Sequence, residues 1–256
     1  MKPTKRTLIR FIGPISFLAA WEAYTRLAGV DPIFLPPIST ILERFWELLW
    51  SGEIIWQAAA SLGRLFAGYS LAAAVAISLG LFIGSFQVLR DILDPVIEMI
   101  RPVSPISLIP LAILWFGIGP ESKIFVIFMA SFFPILLNTV AGVQSTDQLM
   151  IRAARALGAS RMRILCTVSI PAAAPFVYTG LRISMSIAFV VIVAAEMVAA
   201  QSGLGWLILD AQRVYDTSTM FVGIVTISGL GFTMDWLMRR AARLAFPWMQ
   251  TKGGFS

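Results

Sequence analysis

Between Gln144 and Pro171 the chain reads QSTDQLMIRAARALGASRMRILCTVSIP, a polar and basic connection set between two long apolar runs. Ser145 and Gln148 stand in the S-x-x-Q spacing that predicts a helix start. Leu149, Ala153 and Leu157 then recur at helical spacing, with Met150 and Ala154 beside them and Arg152 and Arg155 towards the opposite face. Gly158 suits the left-handed residue that ends a helix. Ser160 can cap a second helix, and Pro171 starts the next apolar run. The segment therefore predicts a short amphipathic helix, a sharp turn and another helix. Such a helix can dock on a protein partner or rest on lipid headgroups, and shape alone favours the headgroups.

The runs on either side decide what kind of molecule carries this connection. Of 256 residues, 58% are hydrophobic and only 13% are charged, against about 45–50% and about 25% in soluble domains. That is too little polar material to coat a globule of this size, so the excess apolar surface faces lipid. A helical crossing takes about 20 residues, because hydrocarbon offers no water to the backbone. Suitable stretches run from Phe11 to Leu27, Leu65 to Leu89, Pro102 to Pro120, Ile124 to Thr146, Ala173 to Val198 and Met220 to Leu237. The expectation is an all-α integral membrane protein of six transmembrane helices, one domain over 1–256. Residues 1–57 hold the first span and an interfacial helix; 58–245 form a core around the connection 144–171. The interfacial helix falls between Asp31 and Ile55, where Ser39 and Thr40 could cap it and Ile41, Phe45 and Leu48 share a face.

Basic residues set the orientation. With the N-terminus inside, Lys2, Lys5, Arg6, Arg10, Arg90, Arg152, Arg155, Arg161, Arg163, Arg239, Arg240, Arg243 and Lys252 fall on the cytoplasmic side, against Arg26, Arg44, Lys123 and Arg213 outside. This satisfies the positive-inside rule and puts both termini in the cytoplasm. It also accounts for the net charge of +6 without nucleic acid. The basic start and apolar run resemble a secretory signal, but Trp21, Glu22 and Tyr24 stand where small cleavage-site residues belong, so an uncleaved helix is expected. Gly80 and Gly84 form a G-x-x-x-G pair that admits a neighbouring helix. Pro102, Pro105 and Pro110 interrupt the third run, either for ordinary packing or because it lines a watery pathway.

Chemistry is scarce. The chain has no histidine, one cysteine (Cys166) and no G-x-x-x-x-G-K-[ST] loop, which removes a disulfide, the usual general base, a Cys/His metal cluster and P-loop nucleotide binding. Charges inside spans cost at least about 2.5–3.5 kcal/mol each and face protein or water. Arg64, Arg182 and Glu196 are the candidates. Glu196 reads either as a buried partner of Arg64 or Arg182, or as a gate group. Glu98 with Arg101, and Asp235 with Arg239, are spaced to pair along one helix face. Asn138 reads as a pathway residue or as an interhelical hydrogen bond.

The run Arg152-Ala153-Ala154, three residues, Gly158, nine residues, then Val168-Ser169-Ile170-Pro171 resembles the E-A-A-x-x-x-G-x(9)-I-x-L-P loop of binding-protein-dependent ABC importer permeases. Arg152 departs from the motif's glutamate, and Val168 and Ile170 are mild changes. The likeness extends over nearly the whole chain. Leu35-Pro36-Pro37, Ser61 to Gly68, Ile109 to Gly119, Phe133 to Thr139, Ala195-Glu196-Met197 and Ser202-Gly203-Leu204-Gly205 are similar to the sulfonate, taurine and nitrate branch. The resemblance implies a type I importer permease fold and a pair of permeases in the inner membrane, expected as a homodimer. It also implies two ATPase subunits that hold ATP and Mg, a soluble substrate-binding protein outside, and no cofactor or catalysis on this chain. By the same resemblance Arg152, Ala153, Ala154, Leu157, Gly158 and Ala159 would form the ATPase-coupling contact, while Asn138, Arg64, Arg182 and Glu196 are pathway or gate candidates. An organic sulfonate such as taurine is the expected solute. Nitrate, a heterocyclic vitamin precursor and an ion-coupled secondary transporter are the alternatives.

Overall fold

Backbone groups in hydrocarbon must be satisfied within their own segment, and the apolar runs form helices accordingly. The structure, a computed structural model, describes residues 3–245, without the side chains of 3–11, 161 and 245. Lys2 and Lys252 of the basic tally lie outside the described residues. In chain order come α1 (Pro3–Leu27), α2 (Ile38–Trp50), α3 (Glu53–Ser85), α4 (Gln87–Ile100), α5 (Ile109–Phe116), α6 (Pro120–Gln144), α7 (Gln148–Ala156), α8 (Arg161–Ile164), α9 (Ile170–Ala199), α10 (Leu204–Arg213) and α11 (Thr217–Ala245). There is no strand among the described residues.

Four stretches are long and apolar enough to cross a membrane as single helices: Glu53–Ser85, Pro120–Gln144, Met162–Ala199 and Thr217–Leu244. The third expected span, Pro102 to Pro120, holds only the short stretch Pro105–Phe116, preceded by α4, a helix that the expected spans do not include. α4 and the turn–helix Pro105–Phe116 meet at 80°, because Pro102 and Pro105 deny the backbone the donors that would carry a helix through. A single 3-10 turn, Pro105–Leu108, bridges the break. By length and composition, four or five crossings qualify among the described residues, so the expected count of six is not exactly reproduced. α1 has 25 residues, enough for a crossing by length.

Two compact units divide the chain. One joins the stretch up to Ala60 with Gln201–Ser228; the other joins Ser61–Ala200 with the chain from Gly229 on. In the second, α3, α6 and α9 pack around Leu65, Ile83, Ile127, Ile135, Leu136, Ala188 and Ile192, all essentially buried. The G-x-x-x-G expectation holds here. A Cβ added at Gly80 would stand 2.7 Å from Thr139 Cβ, and one at Gly84 2.6 Å from Val143 Cβ, so α3 approaches α6 closer than any side chain permits.

In the first unit, α2 buries Leu48 and half-buries Ile41 and Phe45, the face expected of it. Its start differs: the cap position is Pro37, and no side chain caps it. Ser39 lies inside the helix, its hydroxyl bonded to Glu22 at 2.9 Å. Arg44 reaches Asp216 at 3.2 Å, and the Gln57 side-chain oxygen accepts the Gly203 N–H at 2.7 Å. Gly203 sits at φ +114°, a backbone few side chains adopt, which explains the glycine in Ser202-Gly203-Leu204-Gly205.

Candidate functional site: the connecting turn and the buried charges

α7 is short, so its ends decide whether it forms. The cap is Asp147, whose carboxylate accepts the Leu149 N–H at 2.8 Å. The expected Ser145–Gln148 box does not form, since Ser145 closes α6 and bonds back to Gly142 O at 2.8 Å. At the other end Gly158 takes φ +77° as expected. Its N–H donates to Arg155 O at 2.9 Å, and the Ala159 N–H donates to Ala154 O at 3.0 Å. These are the paired bonds of a Schellman stop. Ser160 then accepts the Arg163 N–H at 3.3 Å, the cap foreseen for the second helix. Pro171 does not open a new helix. α8 runs through a π turn, Leu165–Ser169, straight into α9, where Ile170 N–H reaches Leu165 O five residues back. Pro171 at the first turn of α9 is tolerated because its missing donor falls beside this looser turn.

Nothing in α7 is buried. Leu149 is 72% exposed, Met150 60% and Leu157 88%. Arg152 and Arg155 are exposed too, with no ion pair among the described residues. Ile151, Ala154 and Ala159 are the half-buried positions.

The opposite end of the same unit holds buried charge. Glu196, 1% exposed, accepts Arg64 Nη1 at 2.7 Å and Ser61 Oγ at 2.8 and 3.0 Å. Of the two partners weighed for Glu196, the structure chooses Arg64. Arg182 instead binds Asp235 at 2.7 Å, and Arg239 joins the same carboxylate at 2.5 Å, so the expected Asp235–Arg239 pair becomes a triad. Glu98 and Arg101 pair at 3.6 Å on the surface. Asn138 makes no interhelical bond through its amide nitrogen, which donates to Pro134 O of its own helix at 2.8 Å.

Two members of this end escaped sequence reasoning. Ser61 stands in the stretch Ser61 to Gly68 likened to the family, but nothing there marks it as a partner of Glu196. Lys123, placed in the outer loop by the sequence, is 3% exposed. Its ammonium donates to Ile118 O and to Ala199 O, the last residue of α9, and it lies within electrostatic reach of Arg64 and Glu196. A cation at a helix C-terminus is favourable. The available clue was a lone lysine three residues inside a Gly-Pro helix start. Among the described residues no cluster could hold a metal ion.

The family described as binding-protein-dependent transport system inner membrane component matches residues 76–245, which include α7, its turn and Glu196. The chain belongs to the ABC importer permeases. Over 252 residues the permease is 37% identical to the taurine transport permease TauC of Escherichia coli, covering 96% of this chain and 92% of that one. It is 33% identical to the bicarbonate transport permease CmpB of Synechococcus elongatus over 245 residues, 91% and 88% of the two chains. Its fold is similar to that of the methionine ABC transporter MetNI solved in inward-facing conformations, with a TM-score of 0.66 over 77% of the permease and 97% of that chain, at 17% identity. The permease is a membrane transport subunit, not an enzyme.

Proposed function

We propose that this permease forms the translocation pathway for a small organic sulfonate of the taurine type, with α7 as the helix through which a separate ATPase drives it. The observation that carries the reading is α7 itself: capped at both ends, stopped by a left-handed glycine, and with no residue fully buried. Arg152, Ala153, Ala154, Leu157, Gly158 and Ala159 form the coupling contact. The bias of basic residues supports a cytoplasmic location for this end and for both termini. Two permeases pair in the inner membrane, two ATPase subunits hold ATP and Mg beneath them, and a soluble binding protein delivers the solute outside. ATP shifts the inward–outward equilibrium only through its different affinity for the two states, and the loaded binding protein must then promote ATPase closure in return. The buried Arg64–Glu196 pair supports an outer gate at this end, Asn138 is a polar pathway residue, and Arg182 with Asp235 holds α9 to α11.

The 37% identity to a taurine permease supports the sulfonate, and the 33% identity to a bicarbonate permease supports a second reading, a small inorganic anion. The test is the assembled complex in liposomes with its binding protein loaded in turn with taurine, an alkanesulfonate, nitrate and bicarbonate. Sulfonates should stimulate ATP hydrolysis and uptake. Stimulation by bicarbonate or nitrate alone reverses the choice of solute, and ATP-independent uptake by the chain alone overturns the importer reading.

A further inference from the structure

We infer that α7 is shaped for an acidic receptor: the ATPase groove that takes this helix presents carboxylates to Arg152 and Arg155. The inference rests on the coupling reading above and names the chemistry of that contact. From Gln148 to Ser160 the chain carries two arginines and no acid. The one nearby carboxylate, Asp147, is engaged by the Leu149 N–H. Arg152 and Arg155 are three apart, so their guanidinium groups project from one side of the helix.

The faces can be placed at about 100° per residue. Ile151 and Ala154, half-buried, mark the side turned to the rest of the chain. The exposed Leu149 lies on the outward crest, Met150 and Leu157 lie on one flank of it, and the two arginines lie on the other. A groove walls the crest and both flanks of such a knob, so Leu149, Leu157 and the two arginines are enclosed together. At nine residues, with both ends locked by hydrogen bonds, the helix is also short for a lipid anchor. Closing a groove over Leu149 and Leu157 draws the arginines out of water, where an unpaired guanidinium is strongly disfavoured. An acidic wall removes that cost and, with arginine flanking an apolar centre, has the make-up of a binding hot spot.

The experiment uses the full chain in detergent, titrated with its cognate ATPase. Arg152→Glu/Arg155→Glu should weaken binding at least about tenfold, as like charges meet across the contact. Arg152→Lys/Arg155→Lys should stay close to the parent. Reversing the groove's carboxylates to lysine should restore the Glu variant, and parental affinity should fall with salt. If the parent binds no ATPase, the coupling reading itself fails. If it binds and the double-Glu variant binds as tightly, the acidic groove is wrong while the coupling reading stands. A loss that instead tracks the phosphatidylglycerol content of added vesicles assigns the arginines to lipid and also overturns the inference.

Discussion

Substituting Glu196→Gln keeps the shape of the buried cluster and removes only its negative charge. Arg64, Lys123 and Glu196 sum to one positive charge; the variant raises this to two, in a place where the carboxylate is 1% exposed and the Arg64 side chain 14%. At an effective dielectric of about 20, opposite charges some 4 Å apart gain about 4 kcal/mol. Removing one partner of a buried pair typically costs about 3–5 kcal/mol, much of it the stranded cation. Serine can still donate to the amide oxygen, so the lower half of that range, about 3 kcal/mol, is expected, a shift of roughly a hundredfold in the unfolding equilibrium. The assay is equilibrium unfolding in mixed micelles for the parent, Glu196→Gln, Arg64→Met and the double variant. The double variant returns the cluster to one positive charge and should recover at least about 1.5 kcal/mol relative to additivity. A Glu196→Gln variant within about 0.5 kcal/mol of the parent, or strictly additive single changes, would refute the claim that this pair holds the cluster together.

Three further outcomes are expected. Gly158→Pro deletes the N–H that bonds Arg155 O and should abolish ATP-coupled uptake without preventing membrane insertion, read by transport and ATPase rates on the same preparation; Gly158→Asn, which tolerates φ +77°, should keep most of the coupling. Gly180→Val places a Cβ 2.8 Å from Asn138 Cβ, and should cost about 1–3 kcal/mol or more by prising α9 from α6; Gly63→Ala, with nothing within 4 Å, should unfold like the parent. Burial raises the pKa of Asp216, but hydrogen bonds from Thr219 and the Arg44 guanidinium outweigh it and hold the carboxyl below its usual range. Its folded value thus lies below the unfolded one, so its contribution is complete above about pH 5 and is lost as pH falls through about 4 and below. The melting-temperature gap between parent and Asp216→Asn should be flat from pH 7 to about 5 and shrink on further acidification.

The sequence was most legible where one residue type has one physical use. Gly158 needed a left-handed turn, Ser160 a free N–H to accept, and Gly80 with Gly84 a close neighbour; each is found in that role. It was least legible where several residues compete for one job. Ser145 and Asp147 could both have started α7, and the carboxylate won because the last turn of α6 had already claimed the serine. Three prolines marked a broken third span without saying how sharply it bends. Charge was hardest of all. Lys123 looks like any loop lysine until the C-terminus of α9 is brought to it, whereas Arg182 could have been set aside as a partner, since it stands on α9 itself, about 21 Å from Glu196 at 1.5 Å per residue.

Both candidate regions lie on one rod. The stretch Met162–Ala199 is 38 residues long, about 57 Å at 1.5 Å per residue. It begins just after the Gly158 turn and ends just past Glu196. Close packing of the α3–α6–α9 block leaves little room for that rod to bend along most of its length. The π turn at Leu165–Ser169 is different: its i to i−5 bonding is looser, and it lies at the α7 end of the rod. A displacement of α7 can therefore be absorbed at that turn or passed along α9 towards the Arg64–Glu196 pair. The buried pair resists the second course with a few kcal/mol at most, comparable to what a partner with different affinity for two states can supply.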